Sequence, residues 1–475
     1  MAANQLKRIS LFIMAALLSA CSALGPDYQV PKAPLAPQYK EAKGWVQATP
    51  QDQQHKGPWW NVYQDPDLAT LLAQVEINNQ NVAQYTAQYR QARALAAEAG
   101  ANLYPSLSAS GSGSRSRSSG RVGNNWSANA SVSWEVDLWG KLRRTREQQQ
   151  ANAQASAADL ASATLSAQSE LAQDYFRLRI MDERIRLYQT NIAIYQRYLK
   201  VVENQYRGGK EPRASVAQAQ SQLHSVQASM LDLTWQRAQL EHAIAVLIGK
   251  PPAVFSLPAK EFHYQLPVIP AGVPSQLLQR RPDIAYAERS VAAANAAIGV
   301  AMSGYFPDLT LSASGGTENS VFRNLFSLPS RVWSVGPELS GTVFDFGRTR
   351  AQVEEARAAY DAQVANYRQQ VLSALEEVEN YLVEMSVLTH ELNAQRLATD
   401  AAQQSAHLTY NQFQAGMIDY LDVATTEATS LSSQQNLLQL VQTQLVTSVQ
   451  LIVALGGGWN KHQLPGQKPV SFAKD

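Results

Sequence analysis

From Lys141 to Tyr206, and again from Arg348 to Phe413, the chain runs 66 residues without a proline in segments rich in Ala, Gln, Arg and Leu. That composition favours helix, and as one continuous helix each run would span about 100 Å at a rise of about 1.5 Å per residue. Helices of ordinary globular domains are far shorter. The two runs are offset by 207 positions, and the same offset relates NQYRGGKEPRASVA to NQFQAGMIDYLDVA, with Gly209 matching Gly416 and Val216 matching Val423. A repeat this long predicts two copies of one structural unit.

The repeated stretches are where the long helices stop. Tyr206, Arg207, Gly208, Gly209, Lys210, Glu211 and Pro212 supply glycines that end one helix and a proline suited to the first turn of the next. In the second copy Gly416 ends the helix, Asp419 is placed to cap the return and Asp422 falls in its first turn. Both read as hairpin tips, at 206–212 and 413–419. Return helices are predicted over 213–247 and 420–455, about half as long as the descending ones. The other half is supplied by helices before the strands, 68–101 and 276–303.

Between helices lie candidate strands. In WSANASVSWEVDLWG, Trp126, Ala128, Ala130, Val132, Trp134, Val136 and Leu138 alternate with Ser127, Asn129, Ser131, Ser133, Glu135 and Asp137. VWSVGPELSGTVFDFG alternates similarly, with Trp333, Val335, Leu339 and Val343 opposed to Ser334, Glu338, Ser340 and Thr342. Each follows a weaker alternating segment that begins at a proline, Pro105 or Pro307, which predicts two hairpins, 105–139 and 307–346. Alternation with terminal aromatics such as Trp126 and Trp139 fits a transmembrane barrel and equally a soluble half-buried sheet. If the sheet is in lipid, four strands cannot close, since membrane barrels begin at about eight strands. Two chains would give eight strands and three would give twelve.

The N-terminus decides where such a chain works. Lys7 and Arg8 precede an apolar run from Ile9 to Leu18, and Leu18-Ser19-Ala20-Cys21 closes it with small residues, as in a signal peptide over 1–20. Cys21 is the only cysteine and cannot form an internal disulfide. LSAC resembles the lipobox of bacterial lipoproteins, in which the cysteine is acylated and becomes the mature N-terminus; an ordinary secreted protein is the other reading. Ser22 rather than Asp follows, which in that family favours the outer membrane. No later stretch approaches about 18 consecutive apolar residues, so any crossing must be made by strands. The net charge of +1 gives no electrostatic reason to expect nucleic acid.

Several motifs together carry a family resemblance: QRRPDIAYAE (Gln279 to Glu288), WWNVYQDPDL (Trp59 to Leu68), LYPSLS, YFPDLT, VDLWGKLRR (Val136 to Arg144) and FDFGR (Phe344 to Arg348). With CSALGPDYQVP after the lipobox, the chain resembles the lipoprotein branch of the TolC superfamily of outer membrane factors, the NodT or OprM-like channels. The resemblance implies an α+β membrane protein: a homotrimer with a twelve-stranded outer-membrane β-barrel, four strands per chain, continuous with a long periplasmic α-helical barrel. The duplication and the Pro-rich stretches divide the chain into a lipid-anchored segment at 21–67, repeats at 68–249 and 276–456, a Pro-rich linker at 250–275 and a tail at 457–475, the last two expected to pack as an equatorial belt around the helices.

The partners that the resemblance implies are a periplasmic adaptor, an inner-membrane pump of the resistance-nodulation-division class, and outer-membrane lipid through acylated Cys21. The implied function is export of drugs or other toxic small molecules. Type I protein secretion, metal-ion efflux and a tethered structural helical bundle are the alternatives. Carried over by position, Leu421 would form an apolar gate ring and Asp422 an acidic one, with Thr425 where related channels often have Asp. Asp422 also reads simply as a helix-N-terminal acid. Tyr206, Arg207, Gly208, Gly209, Gly416 and Asp419 are the candidates for tip closure and adaptor contact. No enzymatic activity, cofactor or metal is expected: the seven histidines are scattered, and no HExxH or Cys/His cluster has ligand spacing.

Overall fold

The computed structural model describes residues 23–42, 58–264, 266–269 and 274–465. Cys21, the signal segment 1–20 and parts of the expected N-terminal, linker and tail segments lie outside the described residues. Helices α1 (Pro66–Asn78) and α2 (Gln80–Ala101) lead into strands β1 (Ser106–Ser118) and β2 (Arg121–Val136). The chain then descends through α3 (Lys141–Arg207) and returns through α4 (Arg213–Leu247). A short helix α5 (Leu277–Arg280) and α6 (Pro282–Ser303) lead into β3 (Asp308–Asn319) and β4 (Arg331–Ser340). Helices α7 (Arg348–Gln414) and α8 (Tyr420–Ala454) follow.

The long helices α3 and α7 each contain 67 residues, about 100 Å of rise. They run the length of the helical part, and the shorter helices fill in beside them. Near the sheet, α3 packs against α2 and α6, and α6 against α7. Near the tips, α3 packs against α4 and α8, and α8 against α7. Thus α4 meets α2, and α8 meets α6, end to end at mid-height.

These two splices are built alike. The Asn79 side chain accepts from Val82 N at 3.1 Å to cap α2 and donates from Nδ2 to the last carbonyl of α4, Leu247 O, at 2.8 Å. Arg281 donates from its guanidinium to the last carbonyl of α8, Ala454 O, at 3.2 Å, while Pro282 opens α6. Gly249 and Gly456 end the return helices at φ +68° and +104°. A Cβ there would stand 2.2 Å from Asn78 O or 2.3 Å from Arg280 O, so only glycine lets the helix ends touch. The helices expected over 68–101 and 276–303 are therefore broken at Asn79 and Arg281, whose backbones turn extended at ψ 124° and 121°, the second imposed by Pro282, while their side chains serve the return-helix carbonyls.

The four strands form one antiparallel sheet in the order β1-β2-β3-β4. The register places Ser108 against Ser131, Ser112 against Ser127, and Ser314 against Ser334, and each pair shares a hydroxyl hydrogen bond of 2.8 Å. The opposite face aligns Leu107 with Val132, Val132 with Ala313, and Ala313 with Val335. Pairing ends at Ser340 opposite Asp308, so Thr342 and Val343, expected to continue the alternation, lie beyond the strand. The strands join the helices through Gly140 (φ +79°) and Gly347 (φ +91°). Asp137 accepts from Leu142 N and Arg143 N, and Asp345 from Gly347 N and Thr349 N, so both carboxylates cap the first turns of the long helices.

Among the described residues α8 is long and apolar enough by mean hydropathy to cross a membrane, although it holds no run of about 18 consecutive apolar residues. It packs between α3 and α7, and it buries Gln444, Thr447 and Ser448 there, so its apolarity serves helix packing.

Replacing Gly249 or Gly456 with Ala is expected to destabilise the helical part by about 1–3 kcal/mol, from left-handed strain plus the clash. Loss of ellipticity at 222 nm during heating measures it; an unchanged midpoint for both variants would contradict the splice geometry.

Candidate functional site at the helical tips

The tips are closed by the same backbone device. Gly209 N donates to Tyr206 O and Lys210 N to Gln205 O, and Gly416 N donates to Phe413 O and Met417 N to Gln412 O. This is the Schellman pattern, and φ values of +71° at Gly209 and +73° at Gly416 require glycine there. Pro212 stands at the N-cap of α4 rather than inside its first turn. Asp419 occupies the N-cap position of α8, but its side chain accepts no capping bond; only its carbonyl serves, accepting from Asp422 N at 3.3 Å. The expected Asp419 side-chain cap is therefore absent, and the carboxylate is left exposed.

Helix α8 divides its first three turns between two faces. Tyr420, Val423, Ala424, Glu427, Ser430 and Leu431 are buried, whereas Leu421, Asp422 and Thr425 are exposed. Leu421 keeps 58% of its surface open. Thr425 Oγ1 donates to Leu421 O at 2.9 Å and Thr426 Oγ1 to Asp422 O at 3.0 Å, which fixes the hydroxyls against the helix. The three proposed gate residues thus share a side of α8 directed away from the protomer's own core. Tyr206 and Arg207 are exposed at the other tip. Among the described residues, no hydrogen bond or ion pair joins loop 206–212 to loop 413–419.

The two helical hairpins meet above the tips. Tyr198 of α3 donates to buried Glu427 of α8 at 2.5 Å and stacks on Tyr410 of α7 with centroids 4.4 Å apart. Gln222 of α4 donates to Ala424 O at 3.0 Å, and Gln435 of α8 to the Tyr188 hydroxyl at 2.6 Å. Burial, then the hydrogen bond to Glu427, raises the Tyr198 pKa, so it stays a donor at physiological pH. Burial and the nearby Glu427 charge push Tyr420 up to about 12. These linking residues escaped the sequence reading, since a lone Glu amid Ser and Thr looks solvated and no local pattern pairs it with Tyr198. Among the described residues, no group of three or more His, Cys, Asp or Glu side chains is arranged to hold a metal ion.

A family model described as outer membrane efflux protein matches residues 71–250 and 273–457, nearly the whole helical and strand region. The chain belongs to the outer membrane efflux protein family. It is 33% identical to the pyoverdine export outer membrane protein OpmQ of Pseudomonas aeruginosa over 460 residues, 93% of this chain and 96% of that one. The probable outer membrane lipoprotein SilC of Salmonella typhimurium is 28% identical over 449 residues, covering 93% and 97%. The solved outer-membrane channel OprN superposes with a TM-score of 0.85 at 28% identity, covering 92% of this chain and 99% of that one. Family membership places the protein in the outer membrane as a transporter. The motifs that suggested it have structural roles: Pro66 and Asp65 open α1, Arg281 and Pro282 form a splice, and Asp137 and Asp345 cap the long helices.

Tyr198→Phe removes the donor to a buried carboxylate and is expected to cost the tip about 1–3 kcal/mol. Amide hydrogen exchange over 195–207 and 413–427 is expected to accelerate while the sheet is unaffected. Unchanged protection in both segments would show that Tyr198 and Glu427 do not couple the hairpins.

Proposed function

We propose that three copies of this chain assemble into one export channel, a twelve-stranded barrel in the outer membrane continued by an α-helical barrel through the periplasm. The observation that carries this reading is a four-stranded sheet with a hydroxyl-lined face, an apolar face and open edges at β1 and β4. Hydrocarbon does not tolerate unpaired strand edges, and pairing β4 of one copy with β1 of the next removes all of them. The Ser, Asn and Glu face then lines the lumen, and the apolar face meets lipid.

The N-terminal strap supports an anchor beside that barrel. Leu24 N donates to Trp139 O at 3.0 Å, and the buried Arg144 donates to Leu24 O, Gly25 O and the Asp27 carboxylate. Ala23 packs on Gly140 where β2 passes into α3. An acylated Cys21, two residues earlier, would enter the inner-facing leaflet next to the strands and tether without spanning.

Substrate reaches the tips from an inner-membrane resistance-nodulation-division pump through a periplasmic adaptor. The chain exports drugs or other toxic small molecules and performs no covalent chemistry. Leu421 and Asp422 on the exposed side of α8 narrow the closed end, threefold repeated about the axis, with Thr425 adding hydroxyls a turn deeper. Tyr206, Arg207, Gly208, Gly209, Gly416 and Asp419 form the surface offered to the adaptor.

In planar bilayers the purified protein is expected to show small, cation-preferring conductance. Leu421→Ser with Asp422→Asn is expected to raise it several-fold and weaken the cation preference; a protein that never conducts supports the tethered helical bundle. Cys21→Ser is expected to abolish labelling by radioactive palmitate, and persistent labelling would exclude Cys21 as the anchor.

A further inference from the structure

The end of the sheet far from the helices carries a charge pattern that a conduit does not need. Over 106–134 and 309–337 the charged residues are Arg115, Arg117, Arg121, Arg323, Arg331 and a single acid, Glu318. Glu318 accepts from Asn125 Nδ2 at 2.8 Å, and among the described residues none of these arginines forms an ion pair. All five are exposed. The near end is different: Glu135 and Asp308 share Lys141 there, and Asp137 holds Arg143.

The register decides which arginines face lipid. Gly111, Ala128, Thr317 and Arg331 stand in one row across the four strands. Because side chains alternate, Arg331 shares the apolar face with Val335 and Leu339, and Arg115 and Arg117 share it with Leu107 and Ala109. A shallow trough crosses this face, floored by Ala109, Ala128, Ala130 and Gly315, where small residues on three strands leave no tall side chain. Trp333 and Phe326 wall it, 79% and 76% exposed, and Arg331 stands at its rim. Trp126 and Phe322 pack edge to face above it, with centroids 5.0 Å apart.

Unpaired guanidinium groups on the lipid face are unfavourable in hydrocarbon and favourable where anionic headgroups meet them. The planar fork of arginine donates to two phosphoryl oxygens at a time. Because the helices leave the other end of the strands, this end lies in the outward leaflet, which in an outer membrane is made of phosphorylated glycolipid.

We propose that this surface is a binding site for the diphosphorylated lipid A portion of lipopolysaccharide, with phosphates on Arg331, Arg115 and Arg117 and an acyl chain in the trough between Trp333 and Phe326. The site rests on the channel reading: barrel closure sets Arg331 of one copy beside the strand that carries Arg115 and Arg117 of the next, giving three sites per channel.

The test is native mass spectrometry of the full-length trimer in detergent, titrated with diphosphoryl lipid A, monophosphoryl lipid A or phosphatidylethanolamine. Diphosphoryl lipid A is expected to bind most tightly. Arg115→Gln, Arg117→Gln and Arg331→Gln together are expected to weaken it roughly a hundredfold, about fivefold for each arginine, without altering conductance. Trp333→Ala is expected to weaken both forms of lipid A while preserving the preference for two phosphates. Inorganic phosphate is expected not to displace the lipid; displacement would point to a simple anion site and overturn the proposal. Equal binding of phosphatidylethanolamine, or undiminished binding by the triple variant in a trimer that still conducts, would sink the lipid site and leave the channel standing. If the unmodified chain forms no conducting trimer, the channel reading fails first and the site falls with it.

Discussion

In the channel proposed above, backbone hydrogen bonding in lipid is the constraint on which the rest of the architecture depends. A sheet of four strands leaves a row of unpaired amide and carbonyl groups at β1 and another at β4, and no side chain can satisfy them in hydrocarbon. The chain cannot solve this alone. The sheet's two faces specify the solution further, because paired serines continue from strand to strand on one side and Leu, Val and Ala on the other. A shift of one residue in any pairing would move hydroxyls onto the apolar face, so the alternation that marks the strands also fixes their register.

Below the sheet the problem changes from closing an edge to covering length. Two helices of 67 residues supply the length, and four shorter ones, abutted in pairs, fill the space beside them. Abutment leaves carbonyls at helix C-termini that need donors. Asn79 and Arg281 provide them, and the glycines that follow each return helix let the ends approach. Arg281 also binds Asp283 and Glu377 on α7, so the splice fastens the second long helix as well. Toward the tips the packing becomes aromatic, and Tyr198 touches both α7 and α8. Movement of one hairpin against the other must therefore disturb a buried tyrosine–carboxylate contact.

Much of this was legible in the sequence because its signals are local. The long helices announce themselves by the lack of proline, the tips by Gly209 and Gly416, and the strands by strict alternation. What was missed depends on contacts distant in sequence. Asn79 has no breaker beside it, and the partner of its Nδ2, Leu247 O, lies 168 residues away. Pro282 was visible in QRRPDIAYAE as the start of a helix, but the carbonyl that Arg281 serves there, Ala454 O, lies 173 residues away. Alternation through Val343 outran the strand because pairing stops where β3 begins at Asp308. At the second tip, the family resemblance pointed to Leu421 and Asp422, both exposed, whereas the sequence assigned Asp419 a capping bond that its carboxylate does not make.

The central claim is that this chain is one third of a duct through the outer membrane and periplasm. Electron microscopy of the detergent-purified protein, with averaged single particles, tests it most directly. The account predicts a hollow cylinder with threefold symmetry, a short barrel at one end and a helical tube about 100 Å long. A compact or solid particle without a central channel would contradict it.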